Sequence, residues 1–260
     1  MIIKEVIDFC DQRFHPELQE NYDNAGFLLG EPEQECHGVL VSVDLTPRVI
    51  EEAVGKNLNL IVTHHPFIFG GLKRITSDSE TGRMIYSLIR HNIAVYAAHT
   101  NLDNLREGVN GILSQKLGLT GCEILRPLSG RQDAGAGMVG ALPAPMPLNA
   151  FFMLLKEVLG LPVLRCSMAA CQQVGRVAVC GGSGAFLIGD AMAAGADVYL
   201  TADLKYHDFQ RAEGRITLVD VGHYESEQFV KELISLVISQ KFNTFACQIS
   251  DTGNAYVNYI

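Results

Sequence analysis

Two adjacent histidines, His64 and His65, and a pair four residues apart, His223 and Glu227, have types and spacings that suit divalent metal ions. Asp103 adds a further carboxylate. Imidazole with carboxylate fits Zn, Fe, Mn, Co or Ni, and a carboxylate can bridge two cations about 3.5–4 Å apart. On an extended backbone successive side chains point to opposite sides, so an adjacent histidine pair suits two ions better than one. On a helix, residues four apart share a face, so His223 and Glu227 can reach one ion. Three histidines and two acids leave coordination positions for water, which a metal acidifies towards neutral pH. That is the logic of a hydrolase. Each pair taken alone is also ordinary helix surface or core filler, so the elements that place them decide.

Those elements begin at residues 39–43, a short β-branched apolar run that reads as a buried strand. Thr46 and Pro47 mark a helix start, a cap followed by proline in the first turn, and the helix runs to about residues 55–57. A second buried strand at residues 58–62 delivers His64 and His65 to its C-terminal end. Strand, helix and strand make a βαβ unit with parallel strands and a right-handed crossover.

The unit recurs. An ungapped shift of 138 residues aligns Val39 with Val177, Ile50 with Ile188, Ala53 with Ala191 and Thr63 with Thr201. In the first half a helix over residues 81–90 then leads to a strand at 93–97, which delivers His99; in the second, a helix from about Tyr206 leads to a strand at 216–221, which delivers His223. An acid follows each histidine at the fourth position, Asp103 and Glu227. The Gly-, Ala- and Pro-rich stretch 126–147 reads as a junction, with a strand at 138–141 and a helix at 148–159 beyond it. Residues 224–242 read as one amphipathic helix, with a last strand near 244–250.

The expected fold is therefore α/β: two similar, interlinked halves with mainly parallel strands and a metal site at the strand C-terminal ends between them. The expected division is 1–125 plus 222–260 as a first domain carrying most of the ligands, and 126–221 as a second.

Further candidates surround these residues. His99, four before Asp103, is a candidate proton donor or a partner that orients a ligand. Lys205 and His207 follow the second repeat's strand and are candidate contacts for an anionic substrate. Gly181, Gly182, Ser183 and Gly184 lie where backbone N–H groups can hold an anion, although a tight turn is the favoured reading. Asp23 and Asn24 sit in an acidic loop and could reach the pocket, with helix-capping the favoured role.

The 260 residues carry a formal charge of −9 with scattered Lys and Arg, which argues against a nucleic-acid footprint. No apolar stretch approaches the roughly 18 residues that span a bilayer, and no basic n-region opens the chain, so a cytoplasmic protein is expected. The seven cysteines are odd in number and contain no C-x-x-C pair, which fits buried or incidental thiols better than a disulfide framework or a thiolate metal site.

Five segments carry a resemblance. ENYDNAGFLLG at 20–30, THHPFIF at 63–69, AAHTNLD at 97–103, TADLKYHD at 201–208 and GHYESE at 222–227 resemble the Nif-three-like family, whose members are often labelled GTP cyclohydrolase 1 type 2 homologues. The resemblance spans nearly the whole chain, in its compact form without an inserted middle domain. It implies two divalent ions per chain on His64, His65, Asp103, His223 and Glu227, and a toroidal homohexamer. The label does not define the activity. The expected function is a dinuclear metal-dependent hydrolase of a small phosphate-bearing or nucleotide-like molecule. The alternatives are a non-catalytic metal-binding scaffold or regulatory protein, and an α/β protein whose histidines are incidental.

Overall fold

Val39, Leu40 and Val41 are wholly buried, as are Leu60, Ile61 and Val62, so both runs lie inside a sheet covered on its two faces. The computed structural model describes residues 1–252 and 256–260. The described residues divide into two compact units, one of residues 1–102 and 230–252, the other of residues 103–229 and 256–260.

The first unit opens with α1 (Ile3–Phe14), β1 (Gly26–Leu29), β2 (Gly38–Ser42), α2 (Pro47–Gly55), β3 (Leu60–Thr63), α3 (Glu80–Arg90) and β4 (Ala94–Ala97). A short helix, α4 (Thr100–Asn104), follows and contains the boundary. Thr46 caps α2 as its type and place require: its Oγ1 accepts the Val49 N–H at 3.2 Å, with Pro47 in the first turn. The strand order is β1-β4-β3-β2-β11, where β11 (Ala246–Ile249) arrives after α10 (Val230–Lys241) from the far end of the chain. β4, β3, β2 and β11 are mutually parallel, and β1 lies antiparallel at the edge. α2 and α3 cover one face through Val49, Ile50, Ala53, Met84 and Leu88, each of these side chains but the Ala53 methyl contributing about 1.5–3 kcal/mol.

The second unit runs through α5 (Val109–Lys116), β5 (Thr120–Pro127), β6 (Gly135–Pro147), α6 (Leu148–Leu159), β7 (Arg165–Cys166), β8 (Gln173–Ser183), α7 (Ile188–Ala193), β9 (Val198–Ala202), α8 (Tyr206–Gln210), β10 (Thr217–Asp220) and α9 (His223–Glu227). Its sheet order is β5-β6-β8-β9-β10-β7, with β8, β9 and β10 parallel and the outer strands antiparallel. Val177 and Val179 pack with Phe151 and Leu155 of α6, whereas Ala178 and Cys180 pack with Ile188 and Ala191 of α7. The alternation along β8 puts helices on both faces.

The repeat is real at the level of hydrogen-bond register. Val39 pairs with Leu60, Leu40 with Ile61 and Val41 with Val62; shifted by 138, Val177 pairs with Val198, Ala178 with Tyr199 and Val179 with Leu200. Beyond the second strand the offset falls to 123, since Leu60 pairs with Ala94 while Val198 pairs with Thr217. At that offset α4 matches α9, and His223 corresponds to Thr100, not to His99. The two His-x-x-x-acid sequences are thus one residue out of register.

Three expectations change. The stretch at 126–147 is no junction, because most of it is β6, paired on both sides. Small residues there reflect close strand neighbours as well as turns: a Cβ on Gly140 would lie 2.7 Å from Cys122 Sγ and 3.1 Å from the Thr120 carbonyl. Residues 224–242 form two helices, α9 and α10, and the chain passes between units at Phe229 and Val230. The unit boundaries at 102/103 and 229/230 replace those expected at 125/126 and 221/222, because β5 pairs with β6 and α5 packs on β6 and β8. As a result Asp103, His223 and Glu227 belong to the second unit, and the first carries only His64 and His65 of the five.

Candidate metal centre

In the first unit β3 ends at Thr63, and the chain bends at the next two residues. The Val43 carbonyl accepts the N–H of both His64 (3.1 Å) and His65 (2.9 Å), and Thr63 Oγ1 donates to the His65 carbonyl at 2.8 Å. The bend ends the two-residue alternation of a strand, so the imidazoles do not point to opposite sides as expected. Their centroids are 4.9 Å apart. His99, just past β4, completes the group with its ring 5.3 Å from His64 and 5.4 Å from His65. One ligand nitrogen from each of the three lies within 4.8 Å of the others, a spacing that could hold a metal ion.

Each ring is oriented by an oxygen acceptor at Nδ1. His64, fully buried, donates from Nδ1 to the Ala98 carbonyl at 2.8 Å. His65 Nδ1 lies 2.8 Å from Asp44 Oδ1, and His99 Nδ1 lies 2.8 Å from Asp23 Oδ1. A carbonyl or a carboxylate can only accept, so each Nδ1 carries a proton, which in the neutral ring leaves the lone pair on Nε2. Asp23 also takes the Thr100 N–H at 3.0 Å, which makes it the cap of α4 and the orienter of His99 together. Burial works to raise the Asp23 carboxyl, but hydrogen bonds from His99 and Thr100 outweigh it and hold it well below the usual range.

In the second unit α9 presents His223 and Glu227 one turn apart, as the spacing predicts. His223 Nε2 lies 3.2 Å from Glu227 Oε2, while its Nδ1 lies 2.7 Å from Asp203 Oδ2. With Nδ1 donating to Asp203, Nε2 turns a lone pair towards a carboxylate oxygen. A proton or a cation between the two makes that arrangement favourable. Two donors each about 2.1 Å from one ion, at an angle near 100°, lie roughly 3.2 Å apart. The pair therefore fits a shared metal ion. Burial opposes ionisation of Asp203, but hydrogen bonds from Ser183 and His223 lower its carboxyl.

Asp103 lies in α4, and its carbonyl accepts Asn110 Nδ2 at 3.0 Å. Asn110 Oδ1 in turn accepts the Gly181 N–H at 2.9 Å. Burial, with the carboxylates of Asp103 and Glu227 nearby, pushes the Cys180 thiol up to about 12. The Gly182 N–H donates to Ser226 Oγ at 2.9 Å. The Gly181 and Gly182 amides therefore tie β8 to α5 and α9, and residues 181–183 continue β8 where the sequence favours a tight turn. Lys205 and His207 lie exposed at the start of α8, two and four residues past Asp203, with His207 Nδ1 3.1 Å from Gln210 Oε1.

Sequence reasoning misses Asp44 and Asp203, although the repeat carries a signal for one of them: a shift of 138 residues puts Asp203 at the position of His65. Where the first half supplies a candidate ligand, the second supplies the carboxylate that orients one.

A model of the family described as Duf34/NIF3 (NGG1p interacting factor 3) matches residues 1–254. The chain belongs to this family. A Clostridium perfringens protein named GTP cyclohydrolase 1 type 2 homolog is 32% identical over 247 residues, which are 94% of each chain. A Schizosaccharomyces pombe protein named Protein NIF3 homolog is 30% identical over 254 residues, 93% of this chain and 89% of that one. The crystal structure of a Bacillus cereus protein related to NIF3 superposes with a TM-score of 0.91, covering 100% of this chain and 99% of that one at 23% identity, a likeness of fold. No helix among the described residues is long and apolar enough to cross a membrane.

Proposed function

We propose that the protein is a metal-dependent hydrolase that binds two divalent ions through His64, His65, Asp103, His223 and Glu227. The observation that carries the reading is the grouping of the side chains: the His64 and His65 rings lie 4.9 Å apart in the first unit, His223 Nε2 lies 3.2 Å from Glu227 Oε2 in the second, and all three histidines commit Nδ1 to an oxygen, which leaves Nε2 as the ring nitrogen for a metal. Divalent ions bound there supply an acidified water molecule and polarise the scissile group. Asp44 and Asp203 hold the ligand rings in place, and His99, fixed by Asp23, is set to carry a proton.

The names of the relatives favour a nucleotide-like or other phosphate-bearing substrate, with Lys205 and His207 as its proposed contacts. The same proposal includes two ions drawn from Zn, Fe, Mn, Co or Ni, self-association into a hexameric ring and a cytoplasmic location. The test is turnover by metal-loaded protein across a panel of phosphoesters, cyclic amides and nucleotides. We expect at least one class to be hydrolysed, and activity to vanish with chelator and return with metal. A metal-loaded protein inert towards the whole panel would overturn the hydrolase reading and favour a metal-binding scaffold.

A further inference from the structure

Phe69 is 53% exposed and Tyr22 66% exposed, although aromatic rings of this size usually bury their faces. They are not scattered singly. Their ring centroids are 6.4 Å apart with planes inclined by 32°, and Phe69 meets the His99 ring edge-on at 5.9 Å. The two loops that carry them are tied together, since Asn24 Nδ2 donates to the Ile68 carbonyl at 2.6 Å. Phe69 is followed by Gly70 and Gly71, neither of which would meet a neighbour through an added Cβ, and then by the exposed cations Lys73 and Arg74. In a chain of net charge −9, an exposed aromatic pair followed by two cations favours a flat ring carrying an anionic group.

We infer that Tyr22 and Phe69 form a stacking platform for the planar heteroaromatic ring of a phosphate-bearing substrate, with Lys73 and Arg74 taking its anionic end. The inference rests on reading His64 and His65 as metal ligands, because the His99 ring that Phe69 meets lies 5.3 Å from His64 and 5.4 Å from His65. It adds what the metal residues do not specify: selection of a base-bearing molecule over a sugar phosphate. Stacking tolerates many bases because every base has a π-face.

The chain contains no tryptophan, so a Phe69→Trp variant keeps the platform and gives it a single indole reporter. Metal-loaded variant would be titrated with guanosine monophosphate, uridine monophosphate and ribose 5-phosphate, following the indole emission. We expect saturable quenching by both nucleotides, with ribose 5-phosphate at least about 10-fold weaker. Adding Tyr22→Ala to the reporter should weaken nucleotide binding about 10-fold. No saturable quenching by either nucleotide, or equal affinity for ribose 5-phosphate, would overturn the inference. So would emission that responds to protein concentration alone, which would assign the aromatic pair to a contact between copies of the chain. Metal content of the same variant separates the two readings: normal metal without nucleotide binding refutes the platform only, and absent metal refutes the metal site.

Discussion

A Glu227→Gln variant should lose the thermal stabilisation that divalent metal gives the native protein. Glu227 is 3% exposed, and its carboxylate faces His223 Nε2 at 3.2 Å. The amide keeps the shape but removes the charge that pairs with a cation. At a free metal concentration a hundredfold above the dissociation constant, binding stabilises the native state by about 2.7 kcal/mol. In a chain of this size that corresponds to a melting temperature raised by roughly 5–10 °C. The variant should rise by less than about 2 °C under the same conditions. In chelator the order should be equal or reversed, because the neutral amide spares the cost of burying a carboxylate near that of Asp103. Scanning calorimetry of both proteins, with and without metal, reads both effects. Equal metal-induced shifts would mean that Glu227 does not ligate.

The second large effect is expected at Gly182. Its φ is +62°, and an added Cβ would overlap Glu227 Oε1 while lying 3.3 Å from both Glu227 Cδ and His223 Cε1. Left-handed backbone costs a residue with a Cβ about 1–2 kcal/mol, and the overlap adds displacement of the carboxylate. Gly182→Ala should therefore weaken metal binding by about 100-fold or more, since a ligand pushed from its place loses more than a misoriented one. It should also lower stability in chelator by about 1–3 kcal/mol. Isothermal titration with zinc, beside denaturant melts, separates the two. Native metal affinity in Gly182→Ala would show that the Glu227 carboxylate can swing clear and that its position is not critical.

The parts of this site that lie open to sequence reading are those set by local chemistry. Thr46-Pro47 fixes the start of α2, the buried β-branched runs fix β2 and β3, and the repeat at 138 residues fixes their pairing register. The four-residue spacing of His223 and Glu227 needs only a helix, and α9 supplies it. What stays hidden depends on contacts between distant parts of the chain. Asp44 reaches His65 across 21 residues and Asp23 reaches His99 across 76, and no spacing rule connects such pairs. The bend after Thr63 escapes sequence reading because a strand pattern does not announce where its alternation ends. β6 escapes it because glycine and alanine mark turns and tightly packed strands alike.

The proposed function requires two divalent ions on His64, His65, Asp103, His223 and Glu227. The most direct measurement is elemental analysis of protein purified without chelator or affinity histidines, beside a His64→Ala, Glu227→Ala double variant. The proposed site predicts about two ions per native chain and near zero in the variant. No metal in the native protein, and none taken up when Zn, Mn, Fe or Co is added, would contradict the site and leave the histidines as structural residues of an α/β fold.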